Sequence, residues 1–77
     1  MVLDLIISKS DDGFNAEIPS IKGCDCWAHK EDEAVEKSIE LLKYYLNLEV
    51  DSKINIDRAR KENFKTIYKL VFNKDLP

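Results

Sequence analysis

The stretch from about Glu31 to Leu46 has the periodicity of a single amphipathic helix, and it follows three short runs that alternate instead. Ala34, Val35, Ser38, Ile39, Leu41, Leu42, Tyr45 and Leu46 recur at three- and four-residue spacing, the pattern of one buried stripe. Such a helix has to lay that stripe on something, and the alternating runs before it supply a small sheet. Glu31, Asp32 and Glu33 crowd the first turn, where the helix dipole favours negative charge. Glu33 and Lys37 are spaced as an i, i+4 ion pair. No Ser, Thr, Asp or Asn stands at the N-cap; His29-Lys30 occupy that place.

Residues 2 to 8 read as a strand with Leu3, Leu5 and Ile7 on one face. Val2 and Ile6 on the other face predict a central position. Asp11-Asp12-Gly13 reads as the following turn, with glycine expected to supply the positive φ of a tight hairpin. Residues 14 to 18 alternate with Phe14, Ala16 and Ile18 inward and Asn15 and Glu17 outward. Pro19 ends that strand because it has no amide to donate. Gly23 turns the backbone into a third strand, about 24 to 29, with Cys24, Cys26 and Ala28 on one side and Asp25, Trp27 and His29 on the other.

The last third of the chain is ambiguous by periodicity. Phe64, Ile67, Tyr68 and Val71 fit a helical face, while Thr66, Ile67, Tyr68, Val71 and Phe72 are strand-forming types. A helical turn near 57 to 62 and a fourth strand over 64 to 72 is the expectation, with a polar loop near 49 to 53. The fold class expected is α+β: an antiparallel sheet of three or four strands with one long helix on one face, in the order βββαβ. It is read as one domain over 1–77, its core within 2–48 and its C-terminal segment at 51–77.

A 77-residue chain buries a thin core, so self-association into a homodimer or higher homo-oligomer is expected. No apolar run approaches the roughly 20 residues that span a bilayer, and the apolar start carries Asp4 and no basic lead. Two cysteines too close along one strand for an unstrained mutual disulfide suit a reducing, cytoplasmic setting. Residues 1–50 hold eleven acids and five lysines, a balance of −6; residues 51–77 hold seven bases and four acids, a balance of +3. The acidic body argues against duplex nucleic acid and for a basic protein partner.

Phe14, Ala16, Ile18, Pro19, Ile21, Gly23, Cys24, Glu33 and Ala34, continued by Ile39, Leu42, Tyr45 and Leu46, form an ordered pattern. An aromatic-x-Ala-x-Ile-Pro strand leads to a turn ending Gly-Cys, then a polar strand and Glu-Ala opening a helix. In this, residues 14 to 46 resemble the HicB-like antitoxin family. The resemblance implies a partial ribonuclease-H-like domain that binds and blocks a HicA-like toxin, a small basic ribonuclease. Lys22 stands where that family often has proline, and Ala28-His29-Lys30 depart from its usual lead into the helix. Residues 51–77 are too short for a helix-turn-helix and show no ribbon-helix-helix pattern, so DNA binding is not expected.

Candidate chemistry is sparse. Cys24, Cys26 and His29 are zinc-type donors, but structural zinc takes four and strand alternation turns His29 away, so neither metal nor cofactor is expected. Asp4 has no second carboxylate placed to share magnesium, and Ser20 and Ser38 have no base beside them, so no catalytic residue is assigned. Arg58, Arg60, Lys61, Lys65 and Lys69 are interspersed with Asp57 and Glu62, as on a solvated surface. Trp27, Asp25, His29, Glu33 and Glu36 are the candidate partner-binding residues, Trp27 as an aromatic anchor on an open sheet face. Phe14, Ala16, Pro19, Gly23, Cys24 and Ala34 are the structural motif. Two alternatives stand beside the antitoxin reading: an orphan oligomeric scaffold and a nucleic-acid-associated regulator.

Overall fold

The alternating run at the start of the chain forms β1 (Val2–Lys9), the middle strand of a five-stranded antiparallel sheet. The computed structural model describes residues 1–49 and 52–72. In chain order the other elements are β2 (Phe14–Glu17), β3 (Asp25–Ala28), α1 (Glu31–Tyr45), β4 (Asn55–Glu62) and β5 (Lys65–Val71). The strand order is β3-β2-β1-β5-β4. The α+β sheet with one helix on one face is therefore the fold, and β1 is central as its two apolar faces predict.

The helix sits where small residues let it approach. Ala34, Ser38 and Leu42 are the buried centre of its stripe, over Ala16 and Ala28 on the sheet, with Cys26 between. Cys26 Sγ donates to the Ala34 carbonyl at 3.7 Å, and the Ser38 hydroxyl donates back to the Val35 carbonyl at 2.7 Å, leaving no polar atom stranded beneath the helix. Leu5, Ile7, Ile18, Leu70 and Phe72 complete the core. The helix backbone lies nearest β3, β2 and β1, and its Val35 and Ile39 side chains reach across the β5 side of the face as far as Ile56 on β4. A side-chain tie also joins the helix to β5: the Tyr68 hydroxyl donates to the Glu31 carboxylate in the first helical turn.

Both helix ends follow from local chemistry. Lys30 is the N-cap and gives no side-chain cap, as the sequence predicts. At the other end Asn47 takes φ 56°, the left-handed conformation asparagine tolerates, and stops the helix. The Leu48 amide donates to Lys43 O at 2.8 Å and the Asn47 amide to Tyr44 O at 3.2 Å, which satisfies the last carbonyls in a Schellman pattern. Lys37 does not form the ion pair expected with Glu33; its ammonium reaches the Trp27 carbonyl at 3.5 Å.

The segment expected to make a helical turn near 57 to 62 is instead β4, and the last strand is the fifth rather than the fourth. β4 hydrogen-bonds to β5 along its length, with a register shift between Arg58 and Arg60 that bulges Ala59. The hairpin turns at Asn63, whose φ of 43° is again the left-handed region. All eight β4 residues are exposed, so no in/out alternation marks the strand in the sequence. Part of the polar loop expected at 49 to 53, and the chain after residue 72, lie outside the described residues.

The two glycines play different parts from one another. Gly23 has φ +83° and ends the compact 18–24 loop, whose Ile18 amide donates to Cys24 O at 2.9 Å. Gly13 does not take a positive φ, contrary to the hairpin expectation. It is buried because Trp27 lies on it: a Cβ there would come within 2.3 Å of Ala28 O and 2.6 Å of the indole ring. The turn itself closes through the Ser10 amide to Gly13 O at 2.8 Å. Gly13→Ala is therefore expected to destabilise the domain by about 2 kcal/mol or more through forced overpacking, with a change in Trp27 fluorescence. Urea unfolding followed by that fluorescence checks this, and an unchanged midpoint and spectrum would contradict the packing role.

Candidate functional site

Alternation along paired strands sorts the side chains into two layers. Toward the helix point Leu3, Leu5, Ile7, Ala16, Cys26, Ala28, Thr66, Tyr68 and Leu70. Away from it point Val2, Asp4, Ile6 and Ser8 on β1, Asn15 and Glu17 on β2, Asp25 and Trp27 on β3, Lys65, Ile67, Lys69 and Val71 on β5, and Asn55, Asp57, Arg60 and Glu62 on β4. No described element covers this second face.

That open face is apolar along its middle and charged at its flanks. Ile6 pairs directly with Ile67, and Val2 with Val71, across β1 and β5. The row through Ile6 reads, strand by strand, Asp25, Glu17, Ile6, Ile67, Arg60. Lys69 is ion-paired with its cross-strand neighbour Asp4, and Arg60 with Glu62 at 3.0 Å. A shallow depression of about 470 Å³ opens between Ile6, Glu17, Asp25 and Trp27.

Trp27 is 39% exposed, but its ring is held. The indole N–H donates to Ser10 Oγ at 3.1 Å and the His29 ring meets it edge-on at 4.6 Å. The C-terminal strand does not fold over it: β5 and β4 lie on the other side of β1. His29 Nδ1 lies 3.4 Å from Asp12 O, so His29, Trp27 and the β1–β2 turn form one corner.

Of the predicted partner-binding residues, the structure brings Asp25, Trp27 and His29 together along β3 and just after it. Glu33 and Glu36 are exposed on α1, across the sheet from Asp25 and Trp27. The five therefore divide between two surfaces. The motif residues Ala16, Cys24 and Ala34 are core, Phe14 is half-buried, and Pro19 and Gly23 are exposed in the loop that Tyr45 Oη reaches at Gly23 O, 3.3 Å. Sequence reasoning missed Ile67, Val71 and Arg60 as open-face residues. Ile6 and Val2 were legible there from β1 alternation, whereas the β4 and β5 residues needed the cross-strand register.

The sheet edges are less inviting than the face. β3 offers four residues and its Trp27 carbonyl already receives Lys37. β4 is long, but the bulge at Ala59 and its charged side chains are devices that discourage edge pairing. The five interspersed basic residues are split, with Arg58 and Lys61 on the helix side and Arg60, Lys65 and Lys69 on the open side.

Both cysteines face the helix, Cys24 buried and Cys26 half-buried. Burial pushes both thiols up, with the Asp25 carboxylate adding to this in each and Lys37 opposing it at Cys26. Protonated, shielded thiols are poor nucleophiles and poor metal ligands. Among the described residues no three His, Cys, Asp or Glu side chains converge as a metal site, and no helix is long and apolar enough to cross a membrane. Compared with family models, curated proteins and solved structures, the chain finds no match.

Burial, and then the bond to Glu31 and its negative charge, push the Tyr68 hydroxyl up to about 12. The unfolded value is near 10, so the folded state holds this proton more tightly. The corresponding stability is fully present below about pH 10 and is lost as pH rises toward 12. Tyr68→Phe is expected to cost about 1 kcal/mol at neutral pH and to flatten the decline between pH 10 and 12. Melting curves over that range check it, and an unchanged alkaline slope would contradict the assignment.

Proposed function

We propose that this protein is a non-catalytic binding module of the HicB-antitoxin kind, whose acidic helix engages and occludes a small basic ribonuclease. The observation that carries this reading is the surface of α1. It holds five acids against two lysines, and Asp32, Glu33, Glu36 and Glu40 are all exposed. Glu31 and Lys37 bond to neutral groups, the Tyr68 hydroxyl and Trp27 O, and keep their charges, so five acids against two lysines leave the helix net negative. A field of one sign on a rigid helix steers an oppositely charged protein and sets its orientation.

The residues behind the HicB resemblance support the same reading by their structural work. Ala16, Cys24 and Ala34 are the small groups that let α1 seat closely on the sheet, and Gly23 makes the turn into β3. They hold the acidic helix in place rather than perform chemistry. Asp4, the carboxylate weighed above for magnesium, is paired with Lys69. The split basic residues do not favour a nucleic-acid regulator. A cytoplasmic setting agrees with the two free thiols. Self-association is part of this proposal, and the apolar open face favours a second reading in which the domain is an oligomeric scaffold with no toxin partner.

Co-expression with the product of the neighbouring reading frame tests the antitoxin reading. A stable complex that suppresses ribonuclease activity is expected. Glu33→Lys combined with Glu36→Lys should weaken it about tenfold or more, and more steeply at low salt. Undiminished binding by that double variant removes the helix as the contact surface. A neighbour that is neither basic nor a ribonuclease leaves the scaffold reading.

A further inference from the structure

We infer that the open sheet face is a self-complementary interface, on which the occupant is a second copy of this chain packed sheet against sheet. The inference gives the self-association of that reading a face and a geometry, and it does not depend on toxin binding, because the acidic helix lies on the opposite layer.

The row Asp25, Glu17, Ile6, Ile67, Arg60 crosses all five strands at one level. β1 is the middle strand. A two-fold axis running along β1, in the plane between two facing sheets, exchanges the left and right flanks of that row. It places β1 on β1 and β3 over β4. At this level Ile6 meets the partner's Ile6 on the axis, and Asp25 meets the partner's Arg60 on both flanks. Glu17 stands over the partner's Ile67, between the levels of the partner's Lys65 and the partner's Lys69. One level further along, Asn15 faces the partner's Lys65 and Trp27 faces the partner's Glu62. At the other end Val2 and Val71 continue the apolar strip.

The charge distribution is what selects a second copy over an unrelated partner. The open-face residues of β1, β2 and β3 carry Asp4, Glu17 and Asp25 and no base. Those of β5 and β4 carry Lys65, Lys69 and Arg60 against Asp57 and Glu62. Glu17 and Asp25 make the β2–β3 flank acidic, and Arg60 stands on the opposite flank in an exposed pair with Glu62 that exchanges readily for the partner's Asp25, so the face, with the apolar strip between, complements itself under a two-fold rotation. Asp4 lies on the axis facing the partner's Asp4, and each is neutralised by Lys69 of its own chain. A uniformly basic or acidic partner would meet one favourable and one repulsive flank.

Size and packing agree. Five strands about 4.8 Å apart and about 20 Å long present roughly 500 Å² of face per copy, or roughly 1,000 Å² in a pair, the lower bound for a specific interface. Packed sheets stand about 10 Å apart. The depression beside Trp27, about 470 Å³, then receives side chains of the partner's β5 and β4. Val2 at 59% exposure and Trp27 at 39% lose that exposure together.

Charge exchange tests the arrangement directly. Sedimentation or light scattering of the whole chain across a dilution series should show a dimer that dissociates, with Trp27 emission moving to the red as it does. Asp25→Arg alone, and Arg60→Asp alone, should each raise the dissociation constant about tenfold or more, because each leaves two like-charge contacts. The double variant Asp25→Arg with Arg60→Asp should recover most of that loss, while Ile6→Glu on the axis should give a monomer with wild-type circular dichroism. A wild-type chain that stays monomeric at about 100 μM overturns the proposal, as does a dimer indifferent to all four variants or a double variant no better than the worse single. Ribonuclease suppression is a separate readout, so failure of the dimer and failure of the antitoxin reading are told apart.

Discussion

The close seat of α1 on β1, β2 and β3 is the contact on which the rest of the molecule depends. It is made by small groups on both sides: Ala34 and Ser38 on the helix, Ala16, Cys26 and Ala28 on the sheet. Small residues let the backbone layers approach, and near approach closes a core in which Leu42, Leu5, Ile7 and Ile18 are almost wholly removed from water. Burial of those branched side chains is the main favourable term a chain of this length commands. The polar groups caught in the contact, Ser38 and the Cys26 thiol, are answered within the layer by Val35 O and Ala34 O. Enlarging any of these residues would lift the helix along its length, not just at one point.

One helix on one face of a five-stranded sheet leaves an asymmetric molecule. Its helix side offers an acidic convex surface; its sheet side offers a flatter one with an apolar middle. The β1–β2 turn and Trp27 are interlocked at one corner, where Gly13 yields the space that the indole fills. This gives the exposed tryptophan a fixed orientation, through Ser10 and His29, rather than a mobile one. Pre-organised aromatic groups cost little entropy to bury later, which is why they suit interfaces. On the helix face Tyr68 and Glu31 bind the helix start to β5.

Much of the fold was legible before any coordinates. β1, β2, β3 and α1 stand within a residue or two of their predicted limits, because each has a clean period and a chemical stop: Pro19, Gly23, and the acidic first turn of α1. β4 was not legible. Asn55 to Glu62 contains strong helix formers and no alternation, since both of its faces meet water and no core selects one residue type over another. Its backbone pairing with β5 overrides the local preference, and Asn63, which takes a left-handed φ, is the residue type there that signals a hairpin. Gly13 was read for conformational freedom when its real constraint is contact with a residue fourteen positions away.

The candidate surfaces divide along the same line. The amino-acid order by itself determined that a helix with one apolar stripe would shield one side of a small sheet, that its outer side would be acidic, and that Asp25 and Trp27 would face away from it. Those are consequences of period and charge, which are local properties. Only the tertiary structure decided that β5 pairs with β1 and carries β4 outside it, so that Ile67 lies beside Ile6 and Arg60 shares a row with Asp25. Strand register joins residues some sixty positions apart, and no short-range pattern encodes which of them become neighbours.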